Sequence, residues 1–208
     1  MTASSDDIER GGTVADLEQA YSSEGDEVED ALIKALEAHR QAMSAQGEGD
    51  EERAVTLRLV EILRGRDDRS QARELLSHWI GRAPGDREAL YQLRGLEEQA
   101  EDWESAARIS GQLVELEEGE AQVAAVLYLA EAWARVDQPG EAQEALEAVN
   151  RAQPEETTVR ERLWELYEKV GATEKLASLL VADAIKLEDP EERFSLLRRA
   201  GDLYLKSE

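Results

Sequence analysis

An alanine, a leucine four residues later and a proline eight residues after that leucine occur twice along this chain of 208 residues. The two runs are Ala72, Leu76 and Pro84, and then Ala142, Leu146 and Pro154. Their separation, 142 − 72 = 70 residues, is two periods of roughly 34 residues plus two. A repeat of that length holds one helix–turn–helix, which cannot bury its apolar face alone and must stack on its neighbours. The spacing therefore predicts a helical-repeat architecture that displays a surface rather than an enzyme.

The composition favours an all-α fold. Ala, Leu, Glu, Arg and Gln dominate, and all of them are strong helix formers. Hydrophobic residues make up 41% of the chain and charged residues 35%, which is typical of a folded protein with much solvated helix surface.

The net charge of −24 constrains the partners. A chain this acidic repels phosphate backbones and anionic lipids, so we expect neither nucleic acid nor a membrane as a partner. A basic partner fits the charge, and so does a solvated surface that serves only solubility, which is the more common case.

Metal and thiol chemistry find little support in the sequence. The chain has no cysteine, and its two histidines, His39 and His78, lie on predicted helices without a nearby His or Cys. Nucleotide-binding and hydrolase motifs such as the P-loop and G-x-S-x-G are missing as well. We therefore predict a non-enzymatic protein without cofactor or metal.

The N-terminal quarter differs from the rest of the chain. Residues 1–12 are polar and predicted to be disordered, and residues 13–52 are predicted to form an acidic helical segment. Residues 1–52 hold 15 acidic and 3 basic side chains, which is a net charge of 3 − 15 = −12. The start of the chain has no signal-peptide pattern, and no run is apolar enough to span a membrane, so we expect a cytoplasmic location.

Four repeat units follow, at residues 53–86, 87–122, 123–156 and 157–190. Within them, Asp67 or Asp68 is expected to cap a second helix, and Asp86 the helix that follows Pro84. Thr158 and Glu161 have the spacing of a capping box at the start of the fourth unit.

Residues 191–208 are predicted to form a terminal or capping helix. Phe194, Leu197, Gly201 and Tyr204 share one face of it. A capping helix needs a polar outer face. The apolar residues Leu203 and Leu205 instead favour a segment of a longer array.

The units resemble the tetratricopeptide repeat family in degenerate form. The third unit matches its pattern best, with Leu129, Ala130, Trp133, Ala142, Leu146 and Pro154. The second unit departs from it, because Ser110 stands where a large residue is usual and Glu118 replaces the proline. The resemblance covers residues 53–208, and a related helical repeat is the main rival.

This resemblance implies a right-handed α-α superhelix of about four repeats plus a terminal helix. It also implies a concave groove lined by the first helices, where a peptide or partner protein binds. By position in the repeat, the groove residues are Arg58, Arg64, Tyr91, Gln92, Tyr128, Arg135, Arg162 and Lys169. Arginines in such a groove would suit the carboxylates of an acidic segment.

Other interpretations of these residues stay open. Glu131 with Arg135, and Glu165 with Lys169, stand four residues apart in the orientation that stabilises a single helix, so these cations are expected to be neutralised locally. Glu61 lies three residues from both Arg58 and Arg64. Each of the two tyrosines fits core packing as well as partner contact.

An alternative function also remains. In this alternative, the chain is a structural segment of a longer helical-repeat protein. It self-associates through its C-terminal helix and forms a homo-oligomer. The primary prediction is a non-catalytic protein–protein interaction scaffold.

Overall fold

A computed structural model describes residues 14–24 and 26–207, so the predicted disorder of residues 1–12 lies outside the described residues. The helices in that part of the chain are α1 (Val14–Glu24), α2 (Asp26–Gln46), α3 (Gly49–Gly65), α4 (Arg69–Arg82), α5 (Arg87–Gln99), α6 (Trp103–Leu116), α7 (Gly119–Arg135), α8 (Gln143–Ala152), α9 (Thr157–Val170), α10 (Thr173–Lys186) and α11 (Pro190–Ser207). A short 3-10 turn, Pro139–Ala142, precedes α8. The predicted all-α fold of helix–turn–helix repeats is confirmed.

No helix in residues 14–24 and 26–207 combines the length and the apolar character that a bilayer crossing requires.

The chain divides into two compact units, one up to Leu96 and one from Glu97 onward. In the first unit α1 packs against α2, α2 against α3, and α3 against α4. The core of this unit is aliphatic, and its largest buried side chains include Leu32, Leu59, Leu63, Leu76 and Leu90. Burial of a leucine side chain stabilises the fold by about 2 kcal/mol, which accounts for the leucine-rich stripes of these helices.

In the second unit each helix likewise packs against the next along the chain, from α6 to α11. Its largest buried side chains include Leu113, Leu146, Leu163 and Leu180. Ala142, at the end of the 3-10 turn, is fully buried.

The repeat is visible in the backbone of its turns. Asp67, Glu101, Asp137 and Gly171 each have a positive φ, between 57° and 72°. Their spacings are 101 − 67 = 34, 137 − 101 = 36 and 171 − 137 = 34 residues. The residue after each of them donates its backbone N–H to the carbonyl five residues earlier, at 2.8–2.9 Å, as Asp68 does to Leu63. The same left-handed C-terminal turn therefore follows α3, α5, α7 and α9.

Two of the predicted helix caps are confirmed. The Asp68 side chain accepts the backbone N–H of Gln71 at 3.2 Å, and the Asp86 side chain accepts that of Ala89 at the same distance. These short carboxylates compensate for amides that a helix start leaves unpaired.

The predicted capping box of Thr158 and Glu161 is wrong. The helix α9 begins at Thr157, so Thr158 lies inside the first turn, and the cap residue Glu156 makes no side-chain cap bond. The helix follows the turn after Pro154 and begins two residues earlier than the capping pattern requires, which would place its first residue at Val159.

Candidate partner-binding surface

A pocket lies between α7 and α9, within the compact unit that begins at Glu97. Ala130 and Ala134, four residues apart on one face of α7, leave room there because their side chains are short. Leu166 of α9 and Pro139 of the 3-10 turn complete the apolar floor. The cavity holds about 210 Å³, room for a single aliphatic or small aromatic side chain.

The rim of this pocket carries charges from α9. Its charged lining residues are Arg162, Glu165 and Lys169. Arg162 donates to Glu165 at 2.7 Å, and Lys169 lies 3.5 Å from the exposed Asp137. With Asp137 included, the rim holds two cations and two carboxylates, arranged as two exposed ion pairs. The arrangement suits an apolar side chain flanked by a carboxylate.

The predicted local neutralisation is correct for one pair and wrong for the other. Arg135 donates to Glu131 at 2.7 Å, as expected, and its guanidinium also lies 4.2 Å from the centre of the Trp103 ring. Glu165 instead pairs with Arg162, three residues before it, which leaves Lys169 to Asp137. Glu165 lies between two cations along α9, and it is Arg162, three residues before it, that contacts its carboxylate.

Arg58, in the first unit, is held by the acidic N-terminal segment. Its guanidinium donates two hydrogen bonds to Glu18 of α1, at 2.7 and 2.9 Å, and a third to Glu61 at 2.6 Å. Its carbon Cζ also lies 5.8 Å from the centre of the Tyr21 ring. These contacts raise the pKa of Arg58, chiefly through the hydrogen bonds that its guanidinium donates to Glu18. Arg64 is exposed near the end of α3.

The other predicted contact residues are half-buried. Tyr91 and Gln92 lie on α5, where the Arg94 guanidinium stands 5.0 Å from the centre of the Tyr91 ring. Tyr128 lies on α7, two residues before the pocket residue Ala130. Partial burial leaves both tyrosine rings in part accessible.

The structure adds contributors that the sequence analysis did not select. Ala134, Pro139 and Leu166 line the pocket beside the predicted Arg162 and Lys169. The sequence signal for this pocket is a pair of alanines four residues apart on one helix face, where the short side chains leave a depression in the helix surface.

Within the described residues, no group of three or more His, Cys, Asp or Glu side chains is arranged to hold a metal ion.

No protein-family model matches the chain, and no curated protein matches it either. Among solved structures, the chain is similar to a crystal structure of MamA protein, with 16% identity, a TM-score of 0.46, and coverage of 93% of this chain and 91% of that one. It is also similar to a putative kinesin light chain from Podosopora anserina with nearly identical TPR-like repeats, with 16% identity, a TM-score of 0.45 and 93% coverage of both chains. A third is yeast Tom70, with 14% identity, a TM-score of 0.42, and coverage of 93% of this chain and 43% of that one. The evidence for a helix–turn–helix repeat in this chain is its own recurring turns and packed helix pairs.

Proposed function

We propose that this chain is a non-catalytic protein-interaction scaffold that binds a peptide or partner protein on the surface of its first helices. The observation that carries the proposal is the pocket between α7 and α9, whose apolar floor is open to a side chain from outside. Pockets with an apolar floor and a few polar groups at the rim are the usual form of a recognition site.

The chemistry of the pocket defines the partner segment. An apolar anchor side chain fits the floor, since Ala130 and Ala134 provide no bulk to fill it. A carboxylate next to that anchor would compete with Glu165 for Arg162 and with Asp137 for Lys169. The partner is therefore an acidic segment with a single buried aliphatic or aromatic residue.

The remaining predicted groove residues take secondary roles in this proposal. Arg58 and Arg135 are already engaged by Glu18 and Glu131, so a partner would have to displace those carboxylates. Tyr128 offers ring area on α7 beside the pocket, whereas Arg64, Tyr91 and Gln92 belong to the first compact unit and are proposed as contacts there.

A peptide-display experiment tests the proposal. The purified chain, immobilised, should enrich peptides from a random library in which one apolar residue is flanked by Asp or Glu. Ala134→Phe, which fills the cavity, should weaken the binding of a selected peptide at least tenfold, and Arg162→Glu with Lys169→Glu should do the same. Arg108→Glu, at an exposed cation on α6 outside the pocket, is the matched control and should change the affinity less than twofold.

Two outcomes would contradict the scaffold proposal. One is the enrichment of no peptide, and the other is a selected peptide whose affinity is unchanged by both pocket variants. Binding should also weaken as salt is added, because the rim charges are exposed.

A second candidate function is self-association through the C-terminal helix, as a structural segment. It is favoured by the apolar side chains that α11 leaves exposed. The corresponding measurement is the mass of the chain in solution, by light scattering or sedimentation.

We also propose that the chain is cytoplasmic and takes no nucleic-acid partner. The absence of cysteine from the sequence and the net charge of −24 support these two proposals. Cell fractionation and a filter-binding assay with duplex DNA and single-stranded RNA test them, and retention of either nucleic acid at physiological salt would contradict the second.

A further inference from the structure

One position, nine residues before each left-handed turn, recurs on α3, α5, α7 and α9. Its occupants are Arg58, Gln92, Tyr128 and Arg162, all of which the repeat pattern predicts for the groove. Arginine stands there on α3 and again on α9, since 67 − 58 = 9 and 171 − 162 = 9. The two guanidinium groups therefore have equivalent places on their helices and can be compared contact by contact.

Both arginines form the same ion pair within their own helix. Nη1 of Arg58 donates to Oε2 of Glu61 at 2.6 Å, and Nη1 of Arg162 donates to Oε2 of Glu165 at 2.7 Å. The two arginine side chains are also exposed alike, 32% for Arg58 and 29% for Arg162. Each pair uses one end of the guanidinium, which leaves Nε and Nη2 for a second carboxylate.

On α3 the second carboxylate comes from the chain itself. Glu18 of α1 accepts a hydrogen bond from Nε of Arg58 at 2.9 Å and another from Nη2 at 2.7 Å, which is a bidentate pair. Leu17, the residue before it, is 4% exposed, and Asp16 precedes that leucine. A segment of the order acid, leucine, acid therefore already contacts Arg58 in the first unit.

On α9 the arginine lines the pocket. Among the described residues, Arg162 pairs with Glu165 through Nη1, and its Nε and Nη2 have no acceptor. The neighbouring helix α7 presents two alanines to this pocket, whereas α1 presents Glu18 to Arg58. The second unit thus repeats the arginine and its intrahelical partner but takes no second carboxylate from the neighbouring helix.

We propose that Arg162 binds a glutamate of the partner as Arg58 binds Glu18, through Nε and Nη2, with Glu165 remaining on Nη1. The two carboxylates then compete for the charge of Arg162 but use different nitrogens. An apolar residue beside the partner's glutamate fills the space over the two alanines, so that α1 is an internal copy of the segment that the partner supplies. This inference rests on the function proposed for the pocket, and it specifies the ligand as a leucine-like residue next to a glutamate.

The probe for this inference is a fluorescently labelled octapeptide of residues 14–21, which contains Asp16, Leu17 and Glu18. By fluorescence anisotropy it should bind the full chain with a Kd below about 1 mM, the range of one apolar anchor with one ion pair. Its Glu18→Gln form keeps the shape but loses the charge, and it should bind at least about fivefold more weakly. An octapeptide that does not bind overturns this inference alone if the random library still yields acidic peptides, and both proposals if it yields none.

An exchange of arginine and lysine locates the contact. Arg162→Lys keeps the charge but loses the planar pair of donors, so it should weaken binding of the octapeptide about tenfold. Lys169→Arg, on the same rim, is the matched control and should leave the Kd within about twofold. Arg162→Lys should also change the Kd of the Glu18→Gln peptide less than about twofold, because that peptide already lacks the bidentate contact. Equal losses for the two peptides would overturn the proposed pairing.

A carboxylate placed on α7 should close the site. Ala130→Glu supplies the group that Glu18 supplies on α1, and Ala130→Gln supplies the same bulk without the charge. We expect Ala130→Glu to weaken octapeptide binding at least about threefold more than Ala130→Gln does. Since Ala130 is 4% exposed, circular dichroism and urea unfolding of both variants check that the fold is kept. Equal weakening by the two variants would mean that only bulk matters in the pocket, which would contradict the role proposed for Arg162.

Discussion

The indole Nε1 of Trp79 donates a hydrogen bond of 2.8 Å to Oδ2 of Asp86, across the turn between α4 and α5. Arg53 of α3 donates two more to the same carboxylate, at 2.6 and 3.1 Å. The Asp86 side chain is 6% exposed, and it also accepts the backbone N–H of Ala89 at the start of α5. One carboxylate thus joins three successive helices of the first unit.

Replacement of this carboxylate by a neutral amide should destabilise the first unit. In Asp86→Asn the side chain keeps its shape, but the hydrogen bonds from Arg53 lose their charge assistance and one acceptor oxygen becomes a donor. We expect the free energy of unfolding to fall by about 2–3 kcal/mol, measured by urea denaturation. Asp50→Asn, at an exposed position in the first turn of α3, is the matched control and should cost at most about 0.5 kcal/mol. Equal values for the two variants would contradict the role assigned to Asp86.

The same group predicts a pH dependence. Burial alone would raise the pKa of Asp86, but the hydrogen bonds from Arg53, Trp79 and Ala89 together lower it below its ordinary value. A carboxyl whose pKa is lower in the folded state stabilises the fold above its unfolded pKa of about 3.9, and this contribution is lost as the pH falls through the folded pKa. The stability difference between the original chain and Asp86→Asn should therefore be largest near pH 6 and shrink below about pH 4. A difference that is constant from pH 7 to pH 3 would contradict this linkage.

Glu147 plays a comparable part in the second unit. Its Oε1 accepts hydrogen bonds from Tyr167 of α9 at 2.9 Å and from Lys175 of α10 at 2.8 Å. Burial, with the hydrogen bond to Glu147 as the second cause, raises the pKa of the Tyr167 hydroxyl. Tyr167→Phe should lower the free energy of unfolding by about 1 kcal/mol, because it removes one hydrogen bond and leaves the ring in place.

A double-mutant cycle measures whether this cluster acts as a unit. Tyr167→Phe and Lys175→Met both remove donors to one carboxylate, so their effects should be non-additive by about 0.5 kcal/mol or more in chemical denaturation. Strict additivity would show that the two donors act independently on Glu147.

The parts of this fold that follow from local chemistry were predictable from the sequence. The cap at Asp68 depends on residues a few positions apart. The 34-residue spacing is the recurrence of one helix–turn–helix, whose local preferences are the same in each copy. The failure at Thr158 is also local: the capping pattern is present, but the helix begins at Thr157, and a pattern alone does not fix a helix start to one residue.

The parts that depend on distant residues were not predictable. Arg58 belongs to the predicted groove by its position in the repeat, yet Glu18, 40 residues earlier, holds its guanidinium. The pocket similarly needs Ala134 beside Leu166, two residues that only the packing of α7 on α9 brings together. A repeat pattern places residues on a face of one helix, whereas such partners are selected by the stacking of different helices.

The buried residue Ser110 predicts a substitution that raises the free energy of unfolding. Its side chain is 0% exposed in α6, and its hydroxyl Oγ has no hydrogen-bond partner among the described residues. Since a buried hydroxyl without a partner is unfavourable, Ser110→Ala should raise the free energy of unfolding by about 1 kcal/mol. The matched control is Ser77→Ala at an exposed position on α4, and it should change stability by less than about 0.5 kcal/mol. A loss of stability in Ser110→Ala would mean that this hydroxyl is satisfied.

The recurring left-handed turn supplies the last prediction. Glu101 and Gly171 occupy equivalent turns, with φ of 57° and 72°, but only glycine adopts this conformation without a steric cost from Cβ. Glu101→Gly should therefore stabilise the chain by about 0.5–1 kcal/mol, whereas Gly171→Ala should destabilise it by about 1 kcal/mol, both measured by thermal or urea unfolding. Glu98→Gly, three residues earlier within α5, is the control for glycine itself and should cost about 1 kcal/mol, since helical backbone gains nothing from the added freedom. Equal destabilisation by Glu101→Gly and Glu98→Gly would show that the turn at residue 101 gains nothing from a glycine.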